Sequence, residues 1–148
     1  MTARHAAFAG RLVSIVLLAF VLLRGQDTPA RQGRALTTPP GFDVELVAGP
    51  PLVNRPIVAD FDEQGRLYVA DSSGSSERVE VQLANRPHRI VRLEDVDGDG
   101  RFDTSVVFAD KMMLPEGTMW LDGSLYVAAP PSIWKLTDTD GDGVAERR

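Results

Sequence analysis

The sequence contains no cysteine, which excludes disulfide bonds, thiolate metal ligands, cysteine nucleophiles and covalent haem attachment within its 148 residues. Positive charge is also scarce, because 16 Lys and Arg residues face 21 Asp and Glu residues, for a formal net charge of −5. A nucleic-acid-binding surface is therefore not expected. Beyond the first 30 residues no segment has the apolar periodicity of a helix, so the sequence does not predict a helical fold.

The first 30 residues predict a signal peptide. Basic residues precede an apolar run at 12–23, which suits a signal-peptide core but is shorter than the roughly 20 residues that span a bilayer. Thr28 and Ala30 are small enough to flank a cleavage site, whereas arginines after the run favour the alternative of an uncleaved N-terminal anchor. We expect an exported protein, periplasmic or extracellular, that contacts a membrane only through an uncleaved segment. The expected organisation is a signal peptide or anchor at 1–30, a linker at 31–40 and a folded part at 41–148.

Apolar and polar residues alternate along most of the folded part, which is the period of half-buried strands. Asp122-Gly123 lies between two such segments and is a strong hairpin signal. Residues 71–87 are rich in Ser and charge and predict a long surface excursion, and residues 110–116 predict a turn. The predicted strands are 42–47, 57–61, 66–70, 88–94, 104–109, 117–121, 124–129 and 133–136.

Two sequence features recur in the same order. Leu-Tyr-Val-Ala ends at residue 70 and again at 128, and an acidic motif starts at residue 95 and again at 138. A four-stranded unit that repeats every 40–50 residues is typical of a β-propeller blade. We predict an all-β fold made of two blades of an incomplete β-propeller, at about 41–110 and 111–148; the alternative is two hairpins with similar turns. Because propellers typically have 4–8 blades, the expected partners include the remaining blades of a longer chain.

The acidic motifs are DVDGDGRFD at 95–103, here the first acidic loop, and DTDGDGVAE at 138–146, the second acidic loop. Carboxylates at positions 1, 3, 5 and 9, with glycine at position 6, match the start of EF-hand calcium loops. Strands flank them and the glutamate of position 12 is missing, so we expect weaker calcium sites that stabilise structure. The alternative is that Asp-Gly pairs form tight turns without a cation. The predicted ligands are Asp95, Asp97, Asp99, the carbonyl of Arg101 and Asp103 in the first loop, and Asp138, Asp140, Asp142, the carbonyl of Val144 and Glu146 in the second.

Candidates for catalysis are few. The sequence contains no serine-hydrolase elbow, zinc-protease motif, phosphate-binding loop or dinucleotide fingerprint. His88 is the single histidine beyond the leader and a weak candidate for a general base, if it faces a propeller channel; the interpretation that we favour is a strand start at the surface. Tyr68, Trp120, Tyr126 and Trp134 lie at strand positions and are expected in the core.

Three segments together resemble a known family: GFDVELVA at 41–48, ADFDEQGRLYVA at 59–70 and RIVRLEDVDGDGRFD at 89–103. The chain resembles the N-terminal propeller of the membrane-bound dehydrogenases abundant in planctomycetes and related bacteria. That family is distantly similar to soluble quinoprotein glucose/sorbosone dehydrogenases.

The resemblance implies an exported protein in which the propeller often precedes helical repeats and haem-binding cytochrome c regions. It also implies pyrroloquinoline quinone as a cofactor and a sugar or alcohol as substrate, with the fragment alone inactive. His88 matches no catalytic motif of that family, and no quinone-contacting position can be assigned. The alternative function is a non-enzymatic, calcium-stabilised propeller that binds carbohydrate or a protein partner.

Overall fold

The computed structural model describes residues 36–148, so the predicted leader and half of the predicted linker lie outside the described residues. The chain divides into two units, Met1–Pro39 and Pro40–Arg148, and every described helix and strand lies in the second. Among residues 36–148 no helix has the length and apolar character needed to cross a membrane.

Within residues 36–148, seven antiparallel strands form two sheets, which confirms the predicted all-β class. In each sheet the strands lie side by side in chain order, so the chain runs as a simple meander. The first sheet contains β1 (Pro56–Phe61), β2 (Leu67–Asp71), β3 (His88–Glu94) and β4 (Thr104–Met112), and the second contains β5 (Gly117–Leu121), β6 (Ser124–Ala129) and β7 (Ser132–Leu136). A single bridge between Thr137 and Arg147 extends the pairing of the second sheet beyond β7.

The predicted strand at 42–47 is wrong. The chain has no regular structure between residues 42 and 49, and the alternating residues Phe42, Val44 and Leu46 are exposed. Alternation makes a segment able to form a strand, but a strand also needs an adjacent edge with which to pair. Here the carbonyl of Val47 accepts a hydrogen bond from the Phe102 amide at 3.0 Å, so the segment contacts the first acidic loop instead.

The predicted excursion at 71–87 contains a helix that the sequence does not signal. The helix α1 (Val79–Asn85) has no buried residue, so it has no apolar stripe from which to predict it. It ends where Arg86 adopts a left-handed conformation (φ 47°) and donates its amide to the Gln82 carbonyl at 2.7 Å. Pro87 cannot continue the helix.

The predicted turn at 110–116 begins too early, because β4 continues to Met112. Lys111 has a φ of 52°, and the register between β3 and β4 shifts between His88 and Ile90. A second shift lies between Ile90 and Val91, so β4 bulges here, and pairing resumes between His88 and Met112. The hairpin at Asp122-Gly123 is confirmed, with φ values of 49° and 71° that match the left-handed turn expected there.

The main core lies between the two sheets. Tyr68 is 1% exposed, stacks on Trp120 with ring centroids 4.7 Å apart and meets Phe108 edge-on at 4.8 Å. Trp120 also donates its indole N–H to Glu63 at 2.6 Å and its backbone amide to Asp60 at 2.7 Å. The prediction that Tyr68 is core is therefore confirmed. Trp120, Tyr126 and Trp134 are only partly buried. The buried cluster comprises Tyr68, Ala70, Ile90, Phe108, Ala109, Met112, Leu125, Val127, Ala129, Leu136 and Ala145.

The opposite face of the first sheet is covered by the segment that precedes β1. Val53 packs there against Val69, Val91 and Leu93, with Leu52 beside them.

Asp71 fastens this segment to the sheet. Its side chain is 2% exposed, and it accepts the backbone amides of Asn54 (3.0 Å) and Arg55 (2.7 Å). Two nitrogens of the Arg89 guanidinium donate to its other oxygen, at 3.0 and 2.7 Å. Burial alone would raise the pKa of Asp71, but the bonds from Arg55, Arg89 and Asn54 outweigh burial and lower it below the usual carboxyl value.

Candidate cation-binding loops

The first acidic loop connects β3 to β4 and is organised by its own carboxylates. Asp95 accepts two backbone amides, from Gly98 at 2.7 Å and from Gly100 at 2.9 Å. Both glycines have positive φ values (76° and 90°), which a residue with a side chain adopts only at a cost. Asp97 and Asp99 accept the amides two residues further on, at 3.2 and 2.8 Å, so the loop turns around its acidic side chains.

The second acidic loop repeats this arrangement bond for bond, 43 residues further along the chain. Asp138 accepts the amides of Gly141 at 2.7 Å and Gly143 at 2.9 Å, and both glycines again have positive φ values (85° and 93°). Asp140 and Asp142 accept the following amides at 3.2 and 2.7 Å. The loops therefore share one conformation, although they differ in sequence at four of their nine positions.

In each loop the side chains at positions 1, 3 and 5 converge. Each offers one carboxylate oxygen, and those oxygens lie within 4.8 Å of one another. Oxygens that share a cation at 2.3–2.6 Å, the distance typical of calcium, have separations in this range. The predicted carbonyl ligands belong to Arg101 and Val144, whose amides donate to Asp99 and Asp142. The converging residues are Asp95, Asp97 and Asp99 in the first loop, and Asp138, Asp140, Asp142 and Glu146 in the second.

The loops differ at position 9. Glu146 belongs to the converging set of the second loop, whereas Asp103 lies outside the set of the first. Both side chains accept an equivalent amide, Asp103 from Val96 at 2.8 Å and Glu146 from Thr139 at 2.7 Å. The Thr139 amide lowers the pKa of Glu146 below its usual value, so this carboxyl is ionised at neutral pH.

This difference predicts unequal effects of two matched substitutions. If the loops bind calcium, as their sequence predicts, Glu146→Gln should weaken binding at the second loop by about tenfold, because carboxylate count strongly affects the affinity of such sites. Asp103→Asn is expected to weaken binding at the first loop by less than about threefold. Both variants retain an oxygen that can accept the local amide. Calcium titrations followed by the amide resonances of Gly100 and Gly143 measure each loop separately, and equal losses in the two variants would contradict the prediction.

Arg92 of β3 reaches from the first sheet to the second acidic loop. Its Nη1 lies 3.8 Å from an Asp138 oxygen, and this nitrogen is buried without a hydrogen bond among the described residues. A Cβ added to Gly143 would lie 2.6 Å from the Arg92 Cζ and would displace the guanidinium, while the φ of 93° is what favours glycine at this position. Sequence reasoning missed this contact, because it joins two different sheets and has no local signal.

His88 begins β3 as expected but is 2% exposed, so its predicted position at the surface is wrong. Its Nδ1 accepts the Ser73 amide at 3.1 Å, which leaves the hydrogen on Nε2, 3.0 Å from the Gln82 oxygen. Both ring nitrogens therefore bind the excursion and α1 to the sheet. Burial lowers the pKa of His88, which favours the neutral ring. This environment supports a structural role for the residue.

The stability of the protein is expected to depend on His88 near pH 6. A lowered folded-state pKa means that the unfolded chain binds the proton more readily, so stability falls as the pH drops from about 6.5 toward that pKa. His88→Asn retains an acceptor for Ser73 but does not titrate. The stability lost between about pH 7.5 and 5.5, measured by urea unfolding, should be smaller in this variant than in the wild type. An unchanged loss would show that other groups cause the pH dependence.

Comparison with known families identifies one match. Residues 28–148 match the family described as Domain of unknown function (DUF7133). The chain belongs to this family. No curated protein and no solved structure matches it. The match covers both sheets and both acidic loops.

Proposed function

We propose that the chain forms two consecutive blades of a β-propeller and that calcium bound at the two acidic loops stabilises them. The observation that carries the proposal is the repetition of the loop geometry, with the same amides bonded to the same carboxylates at both sites. The amides that these carboxylates accept stabilise each turn, but the convergence of three carboxylates also brings repulsion between like charges, which a bound cation would remove. Their recurrence at equivalent positions is explained if each loop binds a cation.

Sheet topology supports the propeller. The first sheet is a four-stranded meander, and the second follows the same course for three strands and one bridge. Thr137 and Arg147 occupy the positions that Glu94 and Thr104 occupy at the start of β4, so the second sheet has the beginning of a fourth strand. The sheets pack face to face around Tyr68, as consecutive blades do.

Calcium is the cation that best fits the donor set, which consists of carboxylate oxygens with carbonyls close by. Each loop joins the third strand of its sheet to the fourth, and a cation there would fix the angle between those strands. Val106 stands at position 12 of the first loop, where an EF-hand has a bidentate glutamate, and this predicts a dissociation constant of about 10⁻⁴–10⁻³ M, the range of extracellular modules. We expect the second loop, which shares the geometry of the first, to bind in the same range. Such a site is filled where calcium is abundant, which is consistent with the proposed export.

The test is a calcium titration of the full chain observed by ¹H–¹⁵N NMR. The amides of Gly100 and Gly143 are expected to shift and saturate, and equal ionic strength of sodium chloride should not reproduce the change. Asp95→Asn should abolish the response at Gly100 alone, and Asp138→Asn the response at Gly143 alone, so each variant is the control for the other. Amides that do not respond up to about 50 mM calcium would overturn the calcium proposal.

A second proposal follows from the family resemblance: the blades belong to an exported quinone-dependent sugar or alcohol dehydrogenase. Within residues 36–148 the one histidine has both ring nitrogens engaged, so it is poorly placed to accept a substrate proton. We therefore place the pyrroloquinoline quinone site and the catalytic base in further blades of a longer chain. Reduction of an artificial electron acceptor by that longer chain with quinone and sugars would support this proposal, and inactivity after quinone reconstitution would oppose it.

A further inference from the structure

The second sheet has one covered face and one open face. Leu125, Val127 and Ala129 point into the main core, so the alternating residues Tyr126 and Ala128 lie on the other side. This open face contains Met119 and Ile133, which are 50% and 78% exposed. They border a shallow depression of about 250 Å³, lined by Gly117, Thr118, Met119, Tyr126, Ala128 and Ile133.

The open face is the repeat of a face whose central residues are buried in the first sheet. There, Tyr68 pairs with Arg92 across β2 and β3, and Ala70 pairs with Ile90. The same pairings recur in the second sheet. Tyr126 pairs with Lys135 and Ala128 with Ile133. Tyr68, Ala70 and Ile90 are at most 1% exposed because the second sheet covers them.

The residues of the second sheet that contact the first sheet indicate which residues a partner of the open face should have. Trp120 stacks on Tyr68, and the aliphatic residues of β6 and β7 fill the space around Ile90. Arg92 lies beside the second acidic loop, against Asp138 and the glycine at position 6. On the open face Lys135 takes the place of Arg92, and its ammonium lies 5.7 Å from the centre of the Tyr126 ring. The matching occupant therefore carries an aromatic ring, an aliphatic face and an acidic loop.

We propose that the open face binds a third sheet of the same repeat, with the acidic loop of that sheet over Lys135. The proposal rests on the propeller proposed above and adds the chemistry of the contact. The main support for this proposal is the interface between the two sheets, because the residue pairs that the second sheet covers on the first recur on the open face. The exposed apolar side chains of the open face correspond to the apolar part of the existing interface. The Lys135 ammonium corresponds to the Arg92 guanidinium, which lies beside the second acidic loop.

The test extends the full chain with a copy of its own repeat. Arg147 occupies the position of Thr104, so residues 106–148 appended after Arg148 continue the fourth strand and supply a third sheet with its loop. Ile133→Ala is then made in the parent and in the extended chain. It is expected to lower Tm by less than about 2 °C in the parent, where Ile133 is exposed, and by at least about 5 °C in the extended chain, where it is buried.

Two further variants complete the experiment. Ile57→Ala, at an exposed isoleucine of β1, should change Tm equally in both chains. Lys135→Glu should lower the Tm of the extended chain more than that of the parent, because it places a negative charge beside the acidic loop.

Three results would overturn the proposal: equal effects of Ile133→Ala in both chains, an appended repeat that stays unfolded, or a parent chain that dimerises through this face and becomes monomeric on Tyr126→Ala. Calcium titration of the parent chain is independent of the extension. The titration therefore tests the calcium proposal, and the Tm of the extended chain tests the interface proposal, so the two can be rejected independently.

Discussion

In about 10 mM calcium the protein is expected to unfold at a Tm at least about 10 °C higher than in excess chelator. If each loop binds calcium with the proposed dissociation constant of about 10⁻⁴–10⁻³ M, binding at each loop would stabilise the folded state by about 1.4–2.7 kcal/mol. Two loops together contribute about 3–5 kcal/mol, and 1 kcal/mol shifts the Tm of a domain of about 100 residues by roughly 4 °C or more. Thermal unfolding followed by circular dichroism measures the shift.

The control for this expectation is a variant that removes the first ligand of both loops. Asp95→Asn with Asp138→Asn should have the same Tm with and without calcium, while Glu80→Gln at an exposed position of α1 should respond as the wild type does. A wild-type Tm that does not change with calcium would mean that the carboxylates serve the turns alone.

Asp71→Ala is expected to lower the free energy of unfolding by roughly 3 kcal/mol or more. The substitution leaves the amides of Asn54 and Arg55 without their buried acceptor and the Arg89 guanidinium without its partner. The Arg89 side chain is 37% exposed, so solvent screens its ion pair with Asp71. The two unpaired amides therefore account for most of the expected decrease in the free energy of unfolding. Urea unfolding at neutral pH measures the effect. A loss below about 1 kcal/mol would mean that water replaces the carboxylate.

Two comparisons make the Asp71 experiment specific. Glu116→Gln, at an exposed carboxyl, should stay within about 0.5 kcal/mol of the wild type. Because the folded-state pKa of Asp71 is lowered, its contribution is complete above the ordinary carboxyl pKa of about 3.9 and is lost as the pH falls through the lowered value. The difference between the wild type and Asp71→Ala should therefore narrow in strong acid.

Local patterns predicted the strands that pair with their neighbours in sequence. The alternation at 88–94 and at 124–129 matches β3 and β6, because residues adjacent in the chain supply the edges with which these strands pair. The acidic loops were also predictable, since their hydrogen bonds lie within nine residues. Two wrong predictions have a common cause: the structure of each segment depends on contacts with distant parts of the chain. Residues 42–47 alternate but form no strand, and α1 is held by the contact between Gln82 and His88 rather than by an apolar stripe.

The contacts between sheets could not be predicted for the same reason. Nothing near Arg92 in the sequence indicates that its guanidinium approaches Gly143, and nothing near Trp120 indicates its bond to Glu63. These contacts appear only when the repeat places one sheet against the next.

The links that enter the third strand of each sheet differ in length, whereas the acidic loops that follow that strand do not. At one end, the acidic loops of the two sheets keep the same length and the same hydrogen bonds. At the other end, the link from β2 to β3 takes residues 72–87 and includes a helix, whereas the equivalent link from β6 to β7 takes only Pro130 and Pro131. The paired registers are nevertheless the same in both sheets. Insertions in this link therefore leave the paired strands intact. It is where related proteins can diverge in surface, and where a foreign segment can be grafted, without loss of the acidic loops.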